Sequence, residues 1–280
     1  MLYSRILSLM VGEPGGESAV LSAVRVVFNV VKTEDAEANQ IGLDIYNLSK
    51  STRTKFETTD NRIILQAGYA MTGLKLLAIG DIVRGSTEFA HPDVITSVDA
   101  RDGGRALRDA RASLSFKPDV PVKNMVQELV KLLDVDRVEM DLDLDGTFKN
   151  GWSFYGSVRE GLDKLAKRFG FQWSVQSNTI QVTARRTPSS REAIQITPQT
   201  GMIGSPTRID RTGGNLTGAK ELPGLQVTCL LNPALTPGDP VVISSLEYPQ
   251  AVYRITRVEH NGDTHGQEWT SDIEVVESTQ

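Results

Sequence analysis

The chain has 280 residues, 39% of them hydrophobic and 23% charged, with a formal net charge of −5 at neutral pH. Such a length supports one large core or two to three smaller ones, and the composition is that of an ordinary globular protein. Lys and Arg are not clustered, which argues against nucleic acid or an anionic membrane as the main partner, and no window has the unbroken apolar length of a membrane span. The one cysteine, Cys229, sits in an apolar run, so an internal disulfide is excluded and the residue reads as a small buried apolar group. The opening Met1–Val11 has the look of a signal peptide. Its apolar stretch is broken by Ser4, Arg5 and Ser8, and no small-residue cleavage site follows, so the chain is expected to stay in a reducing cytoplasm.

Residues 1–116 read as all-β with one short helix. Leu21 to Val31 is a long strand candidate, with Val24, Val26, Phe28 and Val30 on one face. Ile41 to Leu48 alternates in period two. Ser49 to Thr58 loses that pattern, and Ser51 or Thr52 is placed to cap a turn or two of helix. Arg62–Tyr69, Leu74–Ile79, Ile82–Phe89 and Val94–Ala100 are further strands, punctuated by Gly73, Gly80-Asp81 and Pro92-Asp93. Many short strands at regular spacing indicate a barrel or sandwich.

Residues 117–186 change character. Pro121 suits the first turn of a helix in which Val122, Met125, Val126, Leu129, Val130, Leu132 and Leu133 form one apolar stripe. Ser157 with Glu160 three residues later is a capping box for a second helix, and Gly170 suits its C-terminal cap. Phe171–Val175 and Thr179–Val182 then form a hairpin. The order helix, strand, helix, hairpin predicts a small α+β unit with two helices on one face of a sheet, inserted between two β-domains.

Residues 187–224 are rich in Ser, Thr, Pro and Gly and follow Arg185-Arg186. They read as a linker with a short strand at Ile194 and Ile196. Beyond it, Leu225–Leu231, Val241–Ser244, Tyr253–Glu259 and Ile273–Val276 are strands of a last β-domain. A polar tip from His260 to Gly266 joins the final two as a long hairpin. The two β-regions echo one another. Gly80-Asp81, a strand, a proline and Ile95-Thr96-Ser97-Val98-Asp99 parallel Gly238-Asp239, a strand, a proline and Ile255-Thr256-Arg257-Val258-Glu259.

Two stretches invite a metal. Asp141-Leu142-Asp143-Leu144-Asp145-Gly146 begins like a calcium loop, but its twelfth position is Trp152 instead of the bidentate Glu, and an acidic strand face and turn also explains it. His260, Asp263, His265 and Asp272 would chelate an ion if the hairpin gathered them. Their spacing matches no zinc pattern, and turn chemistry explains Asn261-Gly262-Asp263 without a metal. There is no Gly-x-Ser-x-Gly elbow, no phosphate-cradling loop and no His-Glu-x-x-His, and Cys229 in its apolar run is a poor nucleophile. A glycosidase-type carboxylate pair stays open, because Asp and Glu are abundant. Trp152, Trp173 and Trp269 read as core or hairpin-flanking residues in preference to a sugar platform. No catalytic, cofactor-binding or metal-binding residue is assigned, and no cofactor is expected.

The run Leu230-Leu231-Asn232-Pro233, Pro237-Gly238-Asp239, Val258-Glu259-His260-Asn261-Gly262-Asp263-Thr264 and Trp269 resembles the baseplate hub proteins of tailed bacteriophages. Three other stretches are similar to that family in the same order. They are Ile45–Ser49 with Thr52-Arg53, Val94 to Phe116, and Ser157–Leu165 followed by Trp173–Gln176. Residues 1–18 match no part of its pattern.

The resemblance implies a mainly β fold with an α+β insert. Two tail-tube-like antiparallel β-barrels, 1–116 and 187–280 with its linker, would flank a two-helix α+β domain at 117–186. It further implies a structural, non-enzymatic hub. This would be a homotrimeric ring meeting the tail tube or a distal tail protein on one side and a central spike protein on the other. Other baseplate proteins are further possible neighbours, with no specific nucleic acid and no membrane insertion. The hub would be assembled in the host cytoplasm and reside in the virion tail baseplate. A cell-envelope adaptor module and a peptidoglycan hydrolase are the alternatives.

Overall fold

In the computed structural model, residues 4–278 are described, apart from 134, 142–143, 185–186 and 213–220. Strands β1 (Arg5–Gly12), β2 (Ser18–Leu21), β3 (Val26–Thr33) and β4 (Gln40–Tyr46) precede helix α1 (Lys50–Glu57). Strands β5 (Arg62–Tyr69), β6 (Gly73–Ala90) and β7 (Asp93–Arg101) follow. Next come α2 (Gly104–Asp109), β8 (Arg111–Phe116), α3 (Val122–Val130), β9 (Arg137–Asp141), β10 (Trp152–Ser157) and α4 (Val158–Phe169). The hairpin β11 (Phe171–Gln176) and β12 (Thr179–Ala184) leads to β13 (Ile194–Ile196), β14 (Met202–Thr212) and β15 (Glu221–Leu230). The chain closes with β16 (Pro240–Ile243), β17 (Ala251–Asp263) and β18 (Trp269–Glu277).

The fold is mainly β. A 13-stranded sheet runs β14-β15-β18-β17-β3-β4-β7-β6-β5-β1-β2, with β16 on β17 and β13 on β16. The two β-regions at the chain's ends are therefore hydrogen-bonded to each other. Strands β3 and β17 pair antiparallel from Val27↔Asp263 to Thr33↔Arg257. Period-two burial along β3 and β4 puts Val26, Phe28, Val30, Ile41, Leu43 and Ile45 inside a first core, as their alternation predicts. A third core gathers Val227, Leu235, Val241, Ile255, Val258 and Ile273. Leu231 and Trp269, late in the chain, pack in the first core, where Trp269 meets Phe28 edge-on at 5.3 Å.

The middle of the chain forms the second core. Helix α4 is capped as its sequence demands, with the Ser157 hydroxyl accepting the Glu160 N–H and Gly170 left-handed at φ 75°. It buries Val158, Leu162 and Leu165 against Met125 and Leu129 of α3 and Phe171 and Ile180 of the hairpin. This unit holds two small sheets where one was expected, β10-β8 and β11-β12-β9, the last pair parallel. Strand β8, within the span placed in the first β-domain, pairs with β10, and its Ala112 packs in this second core.

Several boundaries differ from the sequence reading, each for a physical reason. The strand candidate Leu21–Val31 is two strands, because β2 pairs with β1 and β3 with β4 and β17. Ser49, two residues before the nearer of the expected caps, accepts the Thr52 N–H and caps α1. Gly80-Asp81 does not break the chain, and β6 runs through it. A Cβ at Gly80 would lie 2.7 Å from Ile41 Cδ1, so glycine serves close packing there and no turn forms. Gly262 has the same role. It lies inside β17, where a Cβ would come within 2.3 Å of the Phe28 ring, and the polar tip begins only after Asp263.

Candidate functional site

A concentration of buried polar side chains lies where the sheet meets the middle unit. Asp102, in the turn after β7, is 2% exposed and accepts backbone N–H groups from Ser177 at 2.5 Å and Asn178 at 2.9 Å. Asn39 donates to Asp102 Oδ2 at 3.2 Å, to the Val175 carbonyl at 2.8 Å and to Gln176 Oε1 at 3.0 Å. Gln176 donates back to the Thr33 carbonyl at 2.7 Å. Asn178 is left-handed at φ 60°, which points consecutive N–H groups of the β-turn at one carboxylate. Burial raises the Asp102 pKa, and those N–H donors pull the other way.

Charges continue from there along the junction. Lys32 of β3 is 3% exposed; burial lowers its pKa to about 8 against the attraction of Asp102 and Asp239. Arg254 Nη2 lies 2.7 Å from Glu34 Oε2, a close charge contact outside hydrogen-bond alignment. Asp239 accepts the Ser189 hydroxyl at 2.6 Å and the Arg191 guanidinium at 3.1 Å, and Arg191 also reaches Glu139. Beside them a cleft of about 330 Å³ is lined by Glu139, Gln181, Thr183 and Arg191. Arg191 is matched there by two carboxylates, which leaves no surplus positive charge for an anion. The whole seam joins elements distant in sequence. Chemically it can hold the middle unit on the sheet.

The four metal candidates are dispersed. His260 is fully buried in β17, its Nδ1 2.8 Å from the Ser271 hydroxyl. Burial, with a contribution from Lys32, holds its pKa well below the ordinary 6.5. Asp263 pairs with Arg25 at 2.7 Å, which lowers its pKa to about 2. The His265 ring contacts its neighbour Thr264 at 3.0 Å. Asp272 accepts the Thr228 hydroxyl on the outer face, opposite to His260. Strand alternation makes this dispersal unavoidable, since His260 faces Ser271 across the hairpin and Asp272 faces Glu259. Among the described residues no group of three His, Cys, Asp or Glu side chains is arranged to hold a metal ion. In the calcium-like stretch, Leu142 and Asp143 lie outside the described residues, and Leu144 packs in the second core. Cys229 is buried, and burial pushes its thiol pKa up to about 12. Trp173 and Trp269 are core residues, whereas Trp152 is half-buried and stacked on Phe116, Phe148 and Phe154.

Sequence reasoning missed the Asp102 cluster. Its members are ordinary loop, turn and strand-end residues, and only the fold brings position 39 to positions 102 and 176.

The sequence matches no protein-family model, and a search of curated proteins gave no match. The architecture, however, is that of phage tail proteins. A tail protein from Neisseria meningitidis MC58 superposes with a TM-score of 0.71 at 11% identity, over 98% of this chain and 97% of that one. The 43 kDa tail protein of prophage MuSo2 from Shewanella oneidensis gives 0.68 at 11% identity, over 98% of both. The E. coli c3393 protein gives 0.65 at 10% identity, over 96% of this chain and 77% of that one. That protein is described as a type VI secretion component with structural similarity to the T4 tail proteins gp27 and gp5. The chain thus has the fold of phage tail proteins.

Proposed function

We propose that this chain is a structural baseplate hub of a phage or phage-like tail. It forms a trimeric ring that joins a sixfold tail tube, or a distal tail protein, to a threefold central spike, and it performs no catalysis. The observation that carries this reading is the end-to-end likeness to a tail protein, 98% of this chain at a TM-score of 0.71.

An internal repeat supports two tail-tube-like barrels per chain, so that three chains present six. Asp81 and Asp239, from the two Gly-Asp pairs, are both buried and both paired with an arginine at 3.1 Å, Arg62 and Arg191. In the strands that follow, Thr96 and Thr256 are buried, as are Val98 and Val258. In this reading the three units span 1–116, 117–186 and 187–280, with β8 of the first span serving the middle core. The hub assembles in the host cytoplasm and ends in the virion baseplate.

The experiment is electron-microscope class averages of the purified chain, alone and with candidate tube and spike proteins, with mass by light scattering. A threefold ring bound by tube and spike is expected. An assembled tail without a threefold ring of this chain overturns the reading, and lysis of peptidoglycan lost on replacing a single carboxylate would replace it with a hydrolase.

A further inference from the structure

The three-stranded sheet of the middle unit has one apolar face and one polar face. Along β12, Ile180 and Val182 point into the second core, so strand alternation turns Gln181 and Thr183 to the opposite side. Glu139 of β9 stands beside Gln181 on one flank and Ser174 of β11 on the other, a row of carboxylate, amide and hydroxyl across three strands. This face lines the cleft of about 330 Å³, together with Ser189 and Arg191. Both of the latter are held in place. The Ser189 N–H donates to the Gly238 carbonyl at 2.8 Å and its hydroxyl to Asp239 at 2.6 Å. Arg191 bridges Asp239 and Glu139. Gln181 Oε1 reaches toward the same turn, 3.9 Å from where a Cβ on Gly238 would stand.

Two groups in this cleft are buried without a partner. Gln181 is 7% exposed and Thr183 9%, yet neither the amide of the one nor the hydroxyl of the other makes a hydrogen bond among the described residues. Buried polar groups are normally paired, so this pair asks for a ligand. The chemistry of the walls selects its class. Arg191 is matched by Glu139 and Asp239, so an anion finds no spare positive charge, and a cation finds both carboxylates already engaged. An apolar molecule would leave the amide and the hydroxyl unpaired. A neutral polyol satisfies them, because each of its hydroxyls both donates and accepts, and a glutamine amide offers a donor and an acceptor side by side. The volume lies at the low end of the roughly 300–1,000 Å³ of small-ligand pockets, which suits one ring and no longer chain. We propose that the cleft between the polar face of β9 and β12 and residues 189–191 binds a neutral monosaccharide unit. Gln181 takes two adjacent ring hydroxyls and Thr183 a third.

The test uses the full chain labelled with nitrogen-15, and glucose, galactose and N-acetylglucosamine as probes at millimolar concentration. The Gln181 side-chain amide is assigned as the resonance pair lost in Gln181→Met, a substitution of similar shape. In wild type that pair is expected to shift saturably with at least one of the three sugars, and the same sugar should receive magnetisation from the protein. Gln181→Met and Thr183→Val should each weaken its binding by about tenfold, as the loss of a hydrogen bond to a buried group does. Ser153→Ala, exposed in the other small sheet, should bind as wild type does. A purely structural Gln181 gives a different pattern. Gln181→Met would then lower the melting temperature, whereas removal of an unpaired buried amide should leave it unchanged or raise it. A Gln181 pair that none of the three sugars shifts, binding that survives both variants, or a lowered melting temperature with sugar binding intact overturns the inference. The hub reading does not enter this argument. A failed sugar titration leaves it standing, and a tail without a threefold ring leaves the cleft as proposed.

Discussion

The Asp102 carboxylate, at the end of β7, accepts the backbone N–H of Asn178, 76 residues later, at 2.9 Å. With Ser177 and Asn39 it fastens the β11–β12 turn to the long sheet. Replacing Asp102 by Ala leaves the Ser177 and Asn178 backbone N–H groups without their acceptor, whereas the Asn39 amide keeps the Val175 carbonyl and Gln176 Oε1. An unpaired buried donor costs about 1–3 kcal/mol, so Asp102→Ala is expected to lower denaturant stability by about 2–4 kcal/mol. Hydrogen exchange at Ser177 and Asn178 should accelerate more than at Leu9 or Ile63. Unchanged exchange at those two amides would show that the turn is held by its other contacts.

His260 makes stability fall on mild acidification. Its folded-state pKa lies well below 6.5 because burial opposes an imidazolium that would also face Lys32. The unfolded chain takes up that proton near the ordinary value of about 6.5. Below that pH the unfolded state binds more protons, and stability drops by up to about 1.4 kcal/mol per pH unit. Urea titrations at pH 7 and pH 5 should show a smaller loss for His260→Leu than for wild type. Equal losses would assign the acid sensitivity to other groups.

Lys32 acts in the same sense at the alkaline end. Its folded pKa is lowered from 10.5 to about 8 by burial. Between those values the unfolded state is the more protonated, so this group's contribution to stability rises with pH, by about 3 kcal/mol at most. The Cys229 thiol, raised from 9.0 to about 12, opposes it above pH 9. The quantity to measure is therefore the difference between wild type and Lys32→Met. It should shift in favour of wild type from pH 8 to pH 10, and a flat difference would place the Lys32 ammonium in contact with water.

Trp269 is 1% exposed, packed edge-on to Phe28, with the Arg5 guanidinium 5.7 Å from its ring centre. Removing a buried indole costs about 3–5 kcal/mol. Because Trp269 belongs to the terminal hairpin but packs in the first core, Trp269→Ala should destabilise both β-regions together. Denaturation followed by near-ultraviolet circular dichroism and by exchange at β4 amides should show coincident shifts. A loss confined to β17 and β18 would mean that the two regions unfold independently.

Local chemistry made much of the fold legible. Alternation placed β3, β4 and β5 and their inward faces, the Ser157–Glu160 box and Gly170 marked both ends of α4, and the apolar stripe from Val122 marked α3. These signals lie within a few residues of one another, so a sequence carries them whole. Glycine was the chief source of error. Gly80 and Gly262 carry turn chemistry in the sequence, but Ile41 and Phe28, remote in the chain, crowd them into strands. The candidate metal residues failed for a related reason. Once β17 continued past His260, period-two alternation buried that side chain and turned Asp272 the other way. Composition, the β-rich character of both ends of the chain and the absence of standard catalytic motifs were thus properties of the sequence. Only the tertiary structure decided that β3 pairs with β17, that Asp102 clamps a turn 76 residues away and that Glu139 stands beside Gln181 in the cleft. Each of those depends on strand pairing between distant segments, which no local pattern encodes.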